Sequence, residues 1–151
     1  MGFICFYGSK KENQIGNKIK KVIKTILIEG SKIHDIPSFY EEINRVFMAD
    51  ENWKLGQNLD ALNDMFYGGY GIIKGDEEIH LIWKNFEKNR EDLGLKLTKV
   101  YYQDKLKQPS IFNTHFASEK LKELEKGTGK TYFEIILEII HDHPNIKLIP
   151  A

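Results

Sequence analysis

Gly56-Gln-Asn-Leu-Asp-Ala-Leu-Asn-Asp-Met-Phe66 is the stretch around which the rest of the chain can be ordered. It predicts a helix over residues 58–67. Leu59, Leu62 and Phe66 recur at helical spacing and form an apolar stripe, with Met65 at its margin. Gly68-Gly69 ends the helix. Asp60 and Asp64, four residues apart, share the opposite face, and Asn63 borders it. Like charges at this spacing cost an isolated helix roughly 0.2–0.5 kcal/mol. Asp64 also lies near the carboxyl end, where the helix dipole disfavours an anion. A local rule broken without visible compensation is one mark of a functional surface. The competing reading is an ordinary solvated face.

Upstream, residues 22–28 (Val-Ile-Lys-Thr-Ile-Leu-Ile) are β-branched and apolar, and Gly30 closes the run. They predict a buried strand. Ile36-Pro37-Ser38 opens a helix in which Phe39, Ile43 and Val46/Phe47 recur. Downstream, residues 79–83 read as a short strand and residues 85–92 as a polar helix. Leu95, Leu97 and Val100 suggest alternation, so Leu95–Tyr102 is expected to be an additional strand. Residues 118–126 predict a charged helix capped by Ser118. A clearer helix spans 131–143, with Phe133, Ile136, Leu137 and Ile140 as its stripe and Pro144 as its stop. Residues 146–149 form a last strand. At the other end, Phe3–Tyr7 is aromatic-rich, precedes Gly8 and is expected to be an extra amino-terminal strand. Strands alternating with helices predict an α/β fold with a small, mainly parallel sheet. A length of 151 residues suits one domain.

Charge is segregated along the chain. The net formal charge is zero. Residues 1–24 carry six lysines and one Glu, and residues 94–130 carry eight lysines and four acids. The rest holds eight basic and seventeen acidic residues. An acidic body favours a basic partner, although acidic helices also serve solubility. The last helix repeats the acidic pattern, with Glu134, Glu138 and Asp142 spaced by four. A single cysteine, Cys5, excludes an intramolecular disulfide and suits a reducing, cytoplasmic setting. The amino-terminal residues lack the basic and apolar regions of a signal peptide, and no run reaches the ~20 apolar residues of a membrane span. The N-myristoylation pattern also fails at Phe6.

Several catalytic and ligand motifs fall away. Gly127-Thr-Gly-Lys-Thr131 ends like a phosphate-binding loop, but Leu124 stands where a glycine is required and a charged helix precedes it. His141-Asp142-His143 places its histidines two apart, which do not share a helix face, so no metal is expected. No nucleophile elbow or HExxH is present, and no cofactor is expected. A small hydrolase using His141 or His143 stays as an alternative. Lysines at the two basic segments lack a clear aromatic-interleaved stripe, so nucleic acid is not expected as a partner.

The stretch Gly56–Asp64 resembles the G-x-N-L-D-A-L-x-D motif of the barstar family. The flanks agree. Ile26-Leu-Ile-Glu-Gly30 is similar to the family's first strand and turn, and Ile36–Phe47 to its first helix. Leu81-Ile-Trp-Lys-Asn-Phe86 resembles its second strand and exit, and Tyr132–Ile149 its last helix and strand. The resemblance implies a three-stranded parallel sheet packed with helices. It also implies a non-catalytic inhibitor of a ribonuclease toxin, an immunity protein acting as a monomer or in a 1:1 heterodimer. By the same resemblance, Asp60 and Asp64 fall on the two inhibitory aspartates. Glu138 and Asp142 fall on acidic positions of the last helix, and Gly68 on the glycine after the motif helix. The family carries interface aromatics near Lys54 and at Asn63, both polar here. Residues 1–23 and 94–130 have no counterpart in short family members and are expected to be an extension and an insertion. A barstar-like module that binds another basic protein is the second alternative.

Overall fold

The structure, a computed structural model, describes residues 22–151; the expected strand Phe3–Tyr7 lies outside them. Three strands, β1 (Lys24–Glu29), β2 (Ile79–Lys84) and β3 (Ile146–Pro150), form a sheet in the order β1-β2-β3. Both pairings are parallel. Ile26 pairs with Leu81 and Ile28 with Trp83, and these four side chains are buried in the core. Leu27, Ile82 and Ile149 line up across the other face, where Leu27 is exposed and the two isoleucines are half-buried.

The helices are α1 (Ile36–Phe47), α2 (Leu59–Phe66), α3 (Phe86–Asp92), α4 (Leu95–Leu106), α5 (Thr114–Lys126) and α6 (Tyr132–His141). Asp35 caps α1: its carboxylate accepts from the Ser38 amide, while the Ser38 hydroxyl oxygen accepts from the Asp35 amide. Thr131 and Glu134 form the same reciprocal box at the start of α6. These caps satisfy amides that the first helical turn leaves without partners.

Two expectations are corrected. Leu95–Tyr102 is not a strand but most of α4. The inward positions are Thr98 and Tyr102, four apart on one helical face, while Leu95 and Val100 are exposed. Of the residues in the apparent alternation, only Leu97 packs against the core, and it is half-buried. Ser118 is not a cap but lies inside α5, which begins at Thr114; Asn113 is the cap, and its side chain accepts from the Phe116 amide. Gly127 then ends α5 in the left-handed conformation, with φ of 78°, and the turn leads into α6.

Trp83 is the centre of the core. Its ring lies 6.0 Å from Phe39, 5.6 Å from Phe86 and 5.3 Å from Phe133, and it is fully buried. Its indole N–H donates to Asn89 Oδ1 at 2.7 Å, and Asn89 Nδ2 donates to the Gly30 carbonyl at 3.0 Å. One buried asparagine thus joins β2, α3 and the turn after β1. Gly30 is required there, because a Cβ would sit 2.0 Å from the Lys84 carbonyl oxygen. Glu42 is the buried acid of α1. Burial works against its charge, but Arg45, bonded through Nε and a terminal nitrogen, and the Glu29 amide hold its carboxyl below the usual range. Among the described residues, no helix is long and apolar enough to cross a membrane.

Candidate protein-binding site

Helix α2 sits beside α6, its apolar stripe turned inward: Leu62, Met65 and Phe66 are buried. Asn58 caps it, accepting from the amides of Asp60 at 2.8 Å and Ala61 at 3.0 Å. That fixes the helix start and points Asp60 and Asp64 outward. Both are exposed. Among the described residues, neither carboxylate has a hydrogen-bond or ion-pair partner. Asp60 lies in the first turn, where the dipole favours it, and Asp64 in the last, where it does not. The nearby Tyr70 phenol is held above its ordinary range by burial, with the Asp64 charge adding to it.

The remaining expected residues surround this helix unevenly. Asn63 is half-buried and turned toward α6, where its Oδ1 accepts from His143 Nε2 at 2.7 Å. Its amide oxygen is therefore engaged within the protein. Glu138 is exposed on α6 and forms an ion pair with Lys130, whose ammonium is pushed up by that bond. Asp60 and Glu138 line one groove, so α2 and α6 do bring acids to a common place. Asp142, just past α6, lies at the opposite end with Tyr67 and His143. Glu134 is drawn into its cap. Lys54 is exposed in the loop before α2, on the flank near Trp53 and Arg45 rather than in the groove.

Gly68 follows α2 with φ of 81°, and its carbonyl accepts from the Gly75 amide at 2.9 Å. A Cβ at this position would meet Gly75 backbone atoms at 2.4 Å. Gly68→Ala is therefore expected to destabilise the fold by about 1–3 kcal/mol from backbone strain, with the overlap adding to it. A thermal melt that matches the wild type would show that the loop relaxes freely.

Aromatics missed in the sequence frame the acidic face. Trp53 is 44% exposed and lies 4.8 Å from the Tyr70 ring. Tyr67 is 65% exposed and lies 4.5 Å from the His143 ring. The positions where Lys54 and Asn63 stand are polar, but an immediate neighbour of the first, Trp53, supplies an aromatic surface. Adjacency of Trp53 to Lys54 was the available signal.

His143 is only 3% exposed, and burial pushes its imidazole below the ordinary value despite the Asp142 charge. The unfolded chain then binds the proton more readily than the folded one. This contribution to stability is complete above the unfolded value of 6.5 and fades as pH falls through the lower folded value. Acidification below about pH 6.5 is expected to lower the melting temperature, and less so in His143→Gln. An NMR titration placing the His143 midpoint at or above 6.5 would contradict this. His141 is exposed and His143 buried, although both border one open depression beside β3. Among the described residues, no group of three or more His, Cys, Asp or Glu side chains gathers as a metal site.

A surface with exposed carboxylates, exposed aromatics and a fixed helix suits a basic protein surface. Among known families, the model described as Barstar (barnase inhibitor) matches residues 23–101. The matched span runs from the start of β1 into α4 and includes all of α2. No curated protein matched the chain.

Proposed function

Because the chain belongs to the barstar family, whose members are inhibitors and not enzymes, we propose that it blocks a barnase-type ribonuclease toxin through the exposed face of α2. The observation that carries this reading is the pair Asp60 and Asp64, exposed and without hydrogen-bond or ion-pair partners among the described residues, on a helix whose orientation its cap and buried stripe fix. A ribonuclease active site must be cationic to hold RNA phosphates. Carboxylates presented on a rigid helix can occupy the positions of those phosphates without being cleaved. Long-range attraction then speeds the encounter, and burial of the charges against basic groups slows release. Asp142, just past α6, extends the negative field; Glu138 contributes less, because Lys130 offsets its charge. The producing cell would gain immunity because inhibitor and RNA compete for one site.

The test is titration of the purified chain into barnase-type ribonuclease domains, barnase among them, acting on a fluorogenic RNA. Cleavage by at least one should stop at one-to-one stoichiometry, and inhibition should weaken with salt. If none is slowed, or inhibition is not relieved by excess RNA, active-site blocking is wrong.

A further inference from the structure

The acidic face ends at a wall of opposite character. Helices α4 and α5 form a hairpin packed through Tyr102, Ala117 and Leu124, with Leu106 and Leu121 against them. It is anchored to α6: the Thr98 hydroxyl oxygen accepts from the Tyr132 amide at 2.8 Å, and the Tyr101 and Tyr132 rings lie 5.1 Å apart. The hairpin thus has a fixed position relative to the proposed inhibitory helix.

Its exposed tip is apolar and basic. Ile111 is 68% exposed, Phe112 36% and Phe116 50%. Lys105 Nζ lies 4.6 Å from the Tyr101 ring centroid and 5.0 Å from that of Phe112. Lys120 Nζ lies 5.3 Å from that of Phe116. Stacking on rings, joined for Lys120 by an ion pair with Glu123 at 3.5 Å, holds these ammonium groups in place. Phe112, Phe116, Lys105 and Lys120 line the same groove, of about 660 Å³, as Asp60 and Glu138.

We infer that this groove is a second contact for the same toxin, and that it takes an acidic segment bearing an apolar side chain at the rim of the toxin's cationic active site. This rests on the inhibitory reading of α2. If the partner were basic throughout, Lys105 and Lys120 would repel it at the edge of the interface. A bipolar groove calls for a bipolar partner, with basic groups against Asp60 and acidic groups against the lysines. Phe112 and Phe116 supply the aromatic anchoring surface that such interfaces concentrate. Single-stranded RNA also favours rings and lysines, but Glu123 and Glu138 offset Lys120 and Lys130 and Asp60 stands against Lys105, so the groove has no net positive charge to hold phosphates.

The sign of one effect decides the matter. Affinity is measured against the ribonuclease domain stopped in the cleavage assay, carried as an inactive variant, for Lys105→Glu/Lys120→Glu, Lys105→Gln/Lys120→Gln and Phe116→Ala. Each variant's thermal melt is recorded alongside. The reversal should weaken binding at least tenfold, the glutamine pair less, and Phe116→Ala about fivefold or more. A uniformly basic partner would instead bind the reversed variant more tightly, and an uninvolved hairpin would change nothing; either result overturns the inference. A labelled single-stranded RNA that binds the wild type and loses binding in the same variants would also overturn it. Asp64→Ala, measured in parallel, tests the α2 reading on its own, so the two can fail separately.

Discussion

Asp64→Ala is expected to weaken binding to the target ribonuclease by about 2 kcal/mol or more, roughly thirtyfold, while the melting temperature hardly moves. The asymmetry follows from where the carboxylate sits. It is exposed and has no hydrogen-bond or ion-pair partner among the described residues, so the fold loses little; exposed substitutions usually stay within about 0.5 kcal/mol. Removing an anion from the last turn of α2, four residues from Asp60, relieves repulsion and an unfavourable dipole contact. In a complex, the same charge would face basic groups in a water-excluded site, which its loss would leave unpaired. Asp64→Lys should cost more, because attraction becomes repulsion. The variant also carries an internal control: the Tyr70 phenol should titrate at lower pH once the Asp64 charge is gone. Titration calorimetry and a thermal melt on the same preparation check both halves. Unchanged affinity would remove Asp64 from the interface, and an unfolded variant would make it structural.

Trp83→Ala is expected to have the largest effect on the fold itself. Removing a large buried aromatic costs about 3–5 kcal/mol through lost transfer energy and the cavity left behind. Here the void would open among Phe39, Phe86 and Phe133. Asn89 Oδ1 would also lose the indole donor while staying buried. Domains of this kind hold only about 5–15 kcal/mol in total, so the variant should be near the edge of unfolding at room temperature. Urea unfolding followed by far-UV circular dichroism reads the midpoint. Fluorescence supplies a second check: Trp53 and Trp83 are the two tryptophans, so the variant's emission comes from half-exposed Trp53 alone and should shift to the red. A midpoint within experimental error of the wild type would mean that the three phenylalanines close the gap unaided.

The strands were legible because their apolar runs are short, β-branched and closed by turn residues. Residues 22–28, 79–83 and 146–149 were read within a residue or two of β1, β2 and β3. Helices α1, α2 and α6 were legible from stripes that coincide with the buried residues. Helix α4 was not, because its exposed face carries Leu95 and Val100 while its inward face carries Thr98 and Tyr102. A hydrophobic pattern reports the core only when the apolar residues are the ones buried. The outward placement of Asp60 and Asp64 was readable from helical spacing. The bond between Asn63 and His143 was not, since its partners lie 80 residues apart and pairing is decided by packing. For the same reason the Trp53–Tyr70 contact and the groove shared by α2, α6 and the hairpin had no local signal.

That long-range bond has a consequence for when the molecule becomes competent during synthesis. The central strand gains its second neighbour only when Ile79 meets Ile146, and the helix bearing Glu138 is made just before that strand. Pairings between distant segments form late, because the intervening loop must close before any contact rewards it. A nascent chain that has already exposed the α2 motif still lacks α6, the His143 contact and half of the acidic field. Protection should therefore switch on with completion of the carboxyl-terminal strand rather than accumulate as the chain emerges, so a ribosome-arrested chain stopped before Ile146 should leave a ribonuclease unrestrained.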